Sequence, residues 1–215
     1  MSHSWARRWH LVTAVVAVAA LLLQLVLVVS GSAVLAEQDP PGLALRLGRF
    51  ASYFTIQSNL LVAVAAITLA RDPARDGAGW RVLRLAGVVG IAVTGLVHFV
   101  LLRPLLDLDG ADYVADKLLH VAVPLLAVVG WVLLGPRPRA SVRTAALALL
   151  WPLAWLAWTL AVGALSGWYP YPFLDPAEDG AGAVVVACLG ITVLVVAFFG
   201  AALAVDRRAA PAPRN

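Results

Sequence analysis

The chain predicts an all-α fold: a polytopic membrane protein built as a bundle of six transmembrane helices with both termini cytoplasmic. Three observations carry this reading. Of its 215 residues, 62% are hydrophobic and only 13% charged, where an ordinary soluble domain carries about 25% charged residues. Six apolar runs are long enough to cross a bilayer, which takes about 20 residues. The basic residues fall in alternate segments between those runs, as the positive-inside rule requires. The whole chain, 1–215, is expected to form one integral membrane domain.

The helices are expected at about 10–30, 54–70, 83–102, 113–134, 143–165 and 182–205, followed by a disordered tail, 206–215. The first follows Arg7-Arg8 and ends in the small residues "SGSAVLA", which resembles a secretory signal. Its apolar stretch exceeds the 7–15 residues usual for such a signal, so it is read as a retained helix, with cleavage as the alternative. The second is the shortest and the most polar at its start. The third carries Gly90, Thr94 and His98 at four-residue spacing, and Gly90 leaves room for a close helix neighbour. The fourth contains Pro124, which cannot donate to the carbonyl of His120 four residues earlier and so bends the helix there. The fifth aligns Trp155, Thr159 and Gly163 along one stripe. The sixth holds Cys188, the single cysteine, which excludes an internal disulfide and reads as a small core residue.

With the N-terminus inside, the inner segments hold 12 of the 16 basic residues, and the outer segments hold nine of the 12 acids. The net charge of +4 is spread between apolar runs rather than gathered on one basic face, so nucleic acid is not an expected partner. Membrane lipids are. No feature of the sequence sets an oligomeric state.

Polar groups at membrane depth generally face the bundle interior and mark function. This topology puts Thr55, Ser58, Asn59, His98, Asp116, Lys117 and His120 near the outer face, while the inner halves of the helices read as almost purely apolar. The residues form a one-sided pocket rather than a path across the membrane. At about 100° per residue, Thr55, Ser58 and Asn59 share one face and Gln57 points elsewhere. Asp116 and His120 stand four apart, within reach of each other on a helix.

A threonine hydroxyl becomes a nucleophile only when a base takes its proton, and histidine is the usual base near neutral pH. Thr55 and His120 lie at matching depth on the second and fourth helices. The expected constellation is Thr55 as nucleophile, His120 as base and Asp116 as its orienter. Oxyanion donors would come from Asn59 or Gln57 and from Lys117 or His98. Each of these has an ordinary alternative. Thr55 and Ser58 can bond to their own helix backbone, and Asn59 and Gln57 can serve as glue between helices. Trp168, Tyr169 and Tyr171 can form an interfacial aromatic belt. Asp107, Asp109 and Asp112 read as a solvated loop, and His3 and His10 carry no expected function.

Three segments together resemble a known family: "FTIQSNLL" (54–61), "DKLLHVAVP" (116–124) and "YPFLD" (171–175). In this order and helical context they look like the androgen-induced and androgen-dependent membrane protein family and its bacterial six-helix relatives. The animal members are multi-pass hydrolases of fatty acid esters of hydroxy fatty acids. The resemblance implies a membrane-embedded threonine and histidine, at the positions of Thr55 and His120 here. It also implies a role for the segment from Tyr171 to Asp175. The animal pattern has an Asn-His pair where this chain has Asp116-Lys117, and this departure bears on the substrate more than on the fold.

The leading expectation is a lipid-ester hydrolase without cofactor or metal. One alternative is a non-catalytic lipid-binding or partner-binding protein. Another is a haem or metal protein with His98 and His120 as axial ligands.

Overall fold

The computed structural model describes residues 3–32, 41–134 and 140–208. Among them every regular element is helical, and no strand occurs. In chain order the helices are α1 (His3–Ser30), α2 (Leu43–Ser52), α3 (Phe54–Arg71), α4 (Ala78–Leu105), α5 (Gly110–Leu134), α6 (Val142–Ser166) and α7 (Pro176–Arg208). All but α2 are long and apolar enough to cross a membrane. Six such helices mark an integral membrane protein.

Each expected run lies inside one of these helices, and most helices extend beyond it at one or both ends. Hydropathy locates the part of a helix that suits hydrocarbon, whereas backbone hydrogen bonding continues through flanking Ala, Trp and Arg. The tail shows the same effect. Asp206, Arg207 and Arg208 still belong to α7, so the disorder expected for 206–215 does not begin before 209, and residues 209–215 lie outside those described. The end of the "SGSAVLA" run lies outside them as well.

Helix α2 has no counterpart in the sequence reading. Its ten residues, "LALRLGRFAS", are amphipathic and none is fully buried. At 1.5 Å per residue it spans roughly 15 Å, half a hydrocarbon core. Its length and pattern are those of a helix lying in the membrane interface. Extended backbone at Tyr53 (ψ 128°) ends α2 and begins α3.

Helix α4 is the hub. It packs against α3, α5, α6 and α7, and twelve of its residues are buried. On one side, Ala17 and Ala20 of α1 meet Ile56, Val62 and Ala63 of α3 and Leu119 and Val123 of α5. Small side chains let these backbones come close. On the other side, Leu85, Val89 and Val93 of α4 pack with Ala148 of α6 and Val195 and Phe199 of α7. Gly90 does what its position predicts: a Cβ there would lie 2.7 Å from the Trp151 ring and 3.1 Å from Ser58 Oγ. The stripe on α6 is also realised, with Gly163 receiving the ring of Tyr169.

One end of the bundle gathers arginines. Arg7 donates to the Ala70 carbonyl at 3.1 Å, and the Ala140 amide donates to Asp206 at 2.9 Å. The expectation of apolar inner halves fails here. His10, Thr13 and Arg84 are buried, with the Arg84 guanidinium 4.6 Å above the Trp131 ring. His10 and Arg84 fall inside the expected runs, 10–30 and 83–102, but line a cavity shared by α1, α3, α4 and α5.

Candidate active site

The second polar cluster lies at the opposite end, where α3 begins. Thr55 is the second residue of that helix and is 7% exposed. The first N–H groups of a helix have no intrahelical partner. The Thr55 amide finds one in the Tyr171 hydroxyl, 3.2 Å away. The Thr55 hydroxyl lies 3.3 Å from His120 Nε2 and 3.3 Å from the same Tyr171 oxygen.

Asp116 sets the direction of this chain. His120 Nδ1 faces two acceptors, the Asp116 carboxylate at 3.0 Å and the Asp116 backbone carbonyl at 3.1 Å. Nδ1 therefore carries the proton, and Nε2 presents its lone pair to Thr55. The Thr55 hydroxyl donates to Nε2, and the Tyr171 hydroxyl, already accepting from the Thr55 amide, donates to the Thr55 oxygen. At 3.3 Å the threonine–histidine contact is looser than a tight hydrogen bond, as catalytic contacts in unliganded sites often are.

Two prolines shape the helices that carry the histidines. Leu118–Ala122 forms a π-helical turn just before Pro124, and His98–Leu102 forms another just before Pro104. Each proline removes a backbone donor and widens the preceding turn. The carbonyl of His120, left without its helical donor, packs against Gly95, where a Cβ would come within 3.1 Å of it. A bend at His120 is what Pro124 predicts.

The rings of His98 and His120 stack, with centroids 3.8 Å apart and planes 8° from parallel. His98 Nε2 also approaches Asp116 Oδ1 at 3.1 Å, without hydrogen-bond alignment. This contact bears on the haem alternative, because rings in van der Waals contact leave no gap for a macrocycle between them. The ligand atoms of His98, Asp116 and His120 lie within 4.8 Å of one another. An ion bound by both imidazoles would have to lie in both ring planes, and face-to-face planes share no such point. As arranged, the three residues suit a carboxylate shared by two imidazoles. Lys117 Nζ holds its second oxygen at 2.8 Å.

The expected oxyanion donors are directed elsewhere. Asn59 Nδ2 donates to the Thr55 carbonyl at 2.8 Å and to the Leu119 carbonyl at 3.3 Å, tying α3 to the widened turn of α5. Gln57 donates to the Ala51 carbonyl and accepts from Trp151 Nε1, so it joins α2 to α6 and points away from Thr55, as its spacing predicts. Ser58 accepts from the Thr94 hydroxyl at 3.3 Å, a link between α3 and α4 that directs this hydroxyl to Ser58. Lys117 is occupied by Asp116 and lies over the Tyr113 ring. Asp175 caps α7 by accepting from the Ala177 amide at 2.8 Å and takes no part in the cluster.

Tyr171 is the donor actually beside Thr55. It is 7% exposed, stacked on Phe173 and edge-on to Tyr53, rather than part of an interfacial belt. Burial pushes its phenol above the usual range, against the opposing pull of the Thr55 hydrogen bonds, so it stays protonated. Gln24, which topology places in the outer half of its helix, shares a helical stripe with Thr13, Ala17 and Ala20 and reaches the same cluster from α1.

Two cavities meet at Thr55. One, of about 70 Å³, runs between α4, α6 and α7 past Val93, Val97, Leu153, Leu156 and Ile191. The other, of about 60 Å³, lies toward α1 and α2 and is lined by Gln24, Phe50, Asp116, Leu119 and His120. Thr55, His98, Leu102 and Tyr171 line both.

The chain matches no protein-family model, no curated protein and no solved structure.

Proposed function

We propose that the protein is a lipid-ester hydrolase of the membrane, with Thr55 as nucleophile and His120 as general base. The observation that carries this reading is the directed chain from Tyr171 through Thr55 and His120 to Asp116. A merely structural threonine in a membrane helix bonds to its own backbone, as Thr68 does with the Val64 carbonyl. Thr55 instead offers its hydroxyl to an imidazole held in the base tautomer.

The chemistry follows the chain. His120 Nε2 takes the hydroxyl proton as Thr55 Oγ1 attacks the ester carbonyl carbon. The carbonyl oxygen gains the negative charge, and the Tyr171 hydroxyl, released from Thr55, donates to it. The start of α3 adds a favourable field, because the aligned peptide dipoles of a helix turn their positive end toward its N-terminus. Collapse breaks the bond to the alcohol oxygen, which leaves with the proton from His120. Water then attacks the acyl-threonine, giving its proton to His120, and the acid departs as Thr55 is restored. The apolar cavity between α4, α6 and α7 suits the acyl chain. The distribution of arginines favours a site opening toward the outer leaflet, from which an ester can enter sideways. The motifs at 54–61, 116–124 and 171–175 support membership of the androgen-induced and androgen-dependent hydrolase family.

A hydrolase-directed alkyl phosphonate tests the reading on purified protein, beside a panel of lipid esters. Thr55-dependent labelling and turnover are expected. Labelling that survives undiminished in Thr55→Ala would remove the nucleophile assignment. Full lipid binding without turnover would favour the non-catalytic lipid-binding alternative.

A further inference from the structure

Gln24 stands on the face of α1 that points into the bundle and is 7% exposed. Its Nε2 has no hydrogen-bond partner. Its cavity is lined by apolar Val28, Phe50 and Leu119 as well as by Thr55, Asp116 and His120 of the cluster. An amide donor withdrawn from water and left unpaired is costly, and a partner that enters later recovers the loss. A leucine at this place would suit hydrocarbon better, so the amide calls for a ligand.

Its position selects which part of a ligand it meets. In the hydrolase reading, on which this step rests, His120 passes its proton to the leaving oxygen, so the alcohol half of the ester lies on the His120 side of Thr55. That is the cavity that Gln24 lines together with His120 and Asp116. The acyl chain takes the other, apolar cavity. We propose that Gln24 donates to an oxygen acceptor carried by the alcohol half, which makes esters of oxygenated alcohols, of glycerolipid type, the preferred ligands over esters of simple alkanols. A buried donor discriminates strongly, because an analogue lacking the acceptor leaves the donor unpaired.

The test uses two non-hydrolysable ligands with the same chain, hexadecyl glyceryl ether and hexadecyl propyl ether. Their binding to the full-length protein in nanodiscs is compared for wild type, Gln24→Met and Gln24→Leu. Both substitutions make α1 more apolar, so membrane insertion is retained if either one perturbs packing. Wild type should favour the glyceryl ether by about tenfold or more, and the preference should vanish in the variants. No preference in wild type, or the same preference in both variants, overturns the proposal. Failure of the hydrolase reading is seen separately: Gln24-dependent preference without Thr55-dependent turnover leaves the site standing and removes the catalysis. Thr55-dependent turnover without the preference does the reverse.

Discussion

The hydroxyl of Tyr171 lies 3.3 Å from that of Thr55, 116 residues earlier in the chain, and accepts the Thr55 amide at 3.2 Å. One phenol thus holds both the backbone and the side chain of the proposed nucleophile. Tyr171→Phe keeps the ring stacking and removes only the oxygen. Loss of one oxyanion donor typically lowers kcat by about 10²–10³, and that fall is expected with KM little changed. Steady-state kinetics on a lipid ester decide it; an unaltered kcat would assign Tyr171 to packing alone.

Thr55→Ser keeps a hydroxyl and should keep measurable turnover, whereas Thr55→Ala should abolish it. The alanine change leaves the Thr55 amide bond to Tyr171 in place and removes the two neutral hydrogen bonds of the hydroxyl, to His120 and from Tyr171, so stability should drop by only about 2 kcal/mol. A thermal melt alongside the activity assay separates the two effects. A large fall in melting temperature would mark the hydroxyl as a structural tie.

Much of this site was legible in the sequence, for reasons that differ by residue. Asp116 and His120 sit on one helix, where four-residue spacing dictates contact, and they do touch. Pro124 fixes the bend at His120 by removing a donor. Thr55 and His120 lie on different helices, and topology supplied only their common depth. The distance between them depends on Gly95 and on the α1–α3 packing, which spacing does not encode. Tyr171 comes from a connection whose path no periodicity describes, so its burial and its role as donor were out of reach. Asn59 and Lys117 were assigned by chemistry to a charge they do not face. Their side chains are held by the Thr55 and Leu119 carbonyls and by Asp116. Helix α2 escaped because ten residues are too few for a hydropathy window.

Asp116→Asn tests the orienter. The amide can present its nitrogen to His120 and stabilise the wrong tautomer, with Nε2 protonated and useless as a base. In a comparable hydrolytic triad this substitution lowers kcat by about 10⁴, and a loss on the order of 10²–10⁴ is expected here. Nitrogen NMR of labelled histidine should show the shift of the proton from Nδ1 to Nε2. Retained activity with an altered tautomer would exclude His120 as the base.

Alkaline stability reports on the buried phenol. Burial raises its pKa above the ordinary value of about 10, so the folded protein holds a proton that the unfolded chain has released. The stabilisation linked to this group is complete below about pH 10 and is lost as pH rises toward the folded value. Tyr171→Phe lacks that component. Its melting temperature should therefore fall less steeply between about pH 10 and 11 than that of wild type. Equal slopes would mean that Tyr171 is not protected from ionisation in the folded state.

Gly95 lets α4 approach the bend in α5. A Cβ there would lie 3.1 Å from the His120 carbonyl and 3.3 Å from the Pro124 ring. Neither backbone nor proline can yield as a flexible side chain does, so Gly95→Val should push the two helices apart. Overpacking of this kind costs about 1–3 kcal/mol, and the displacement also carries His120 away from Thr55. Gly200→Val on α7, where an added Cβ meets nothing within 4 Å, controls for the effect of a β-branched residue in a helix. The expected result is a lower melting temperature and reduced turnover for the first substitution and neither for the second. Gly95→Val with normal turnover would show that the α4–α5 spacing does not set the Thr55–His120 contact.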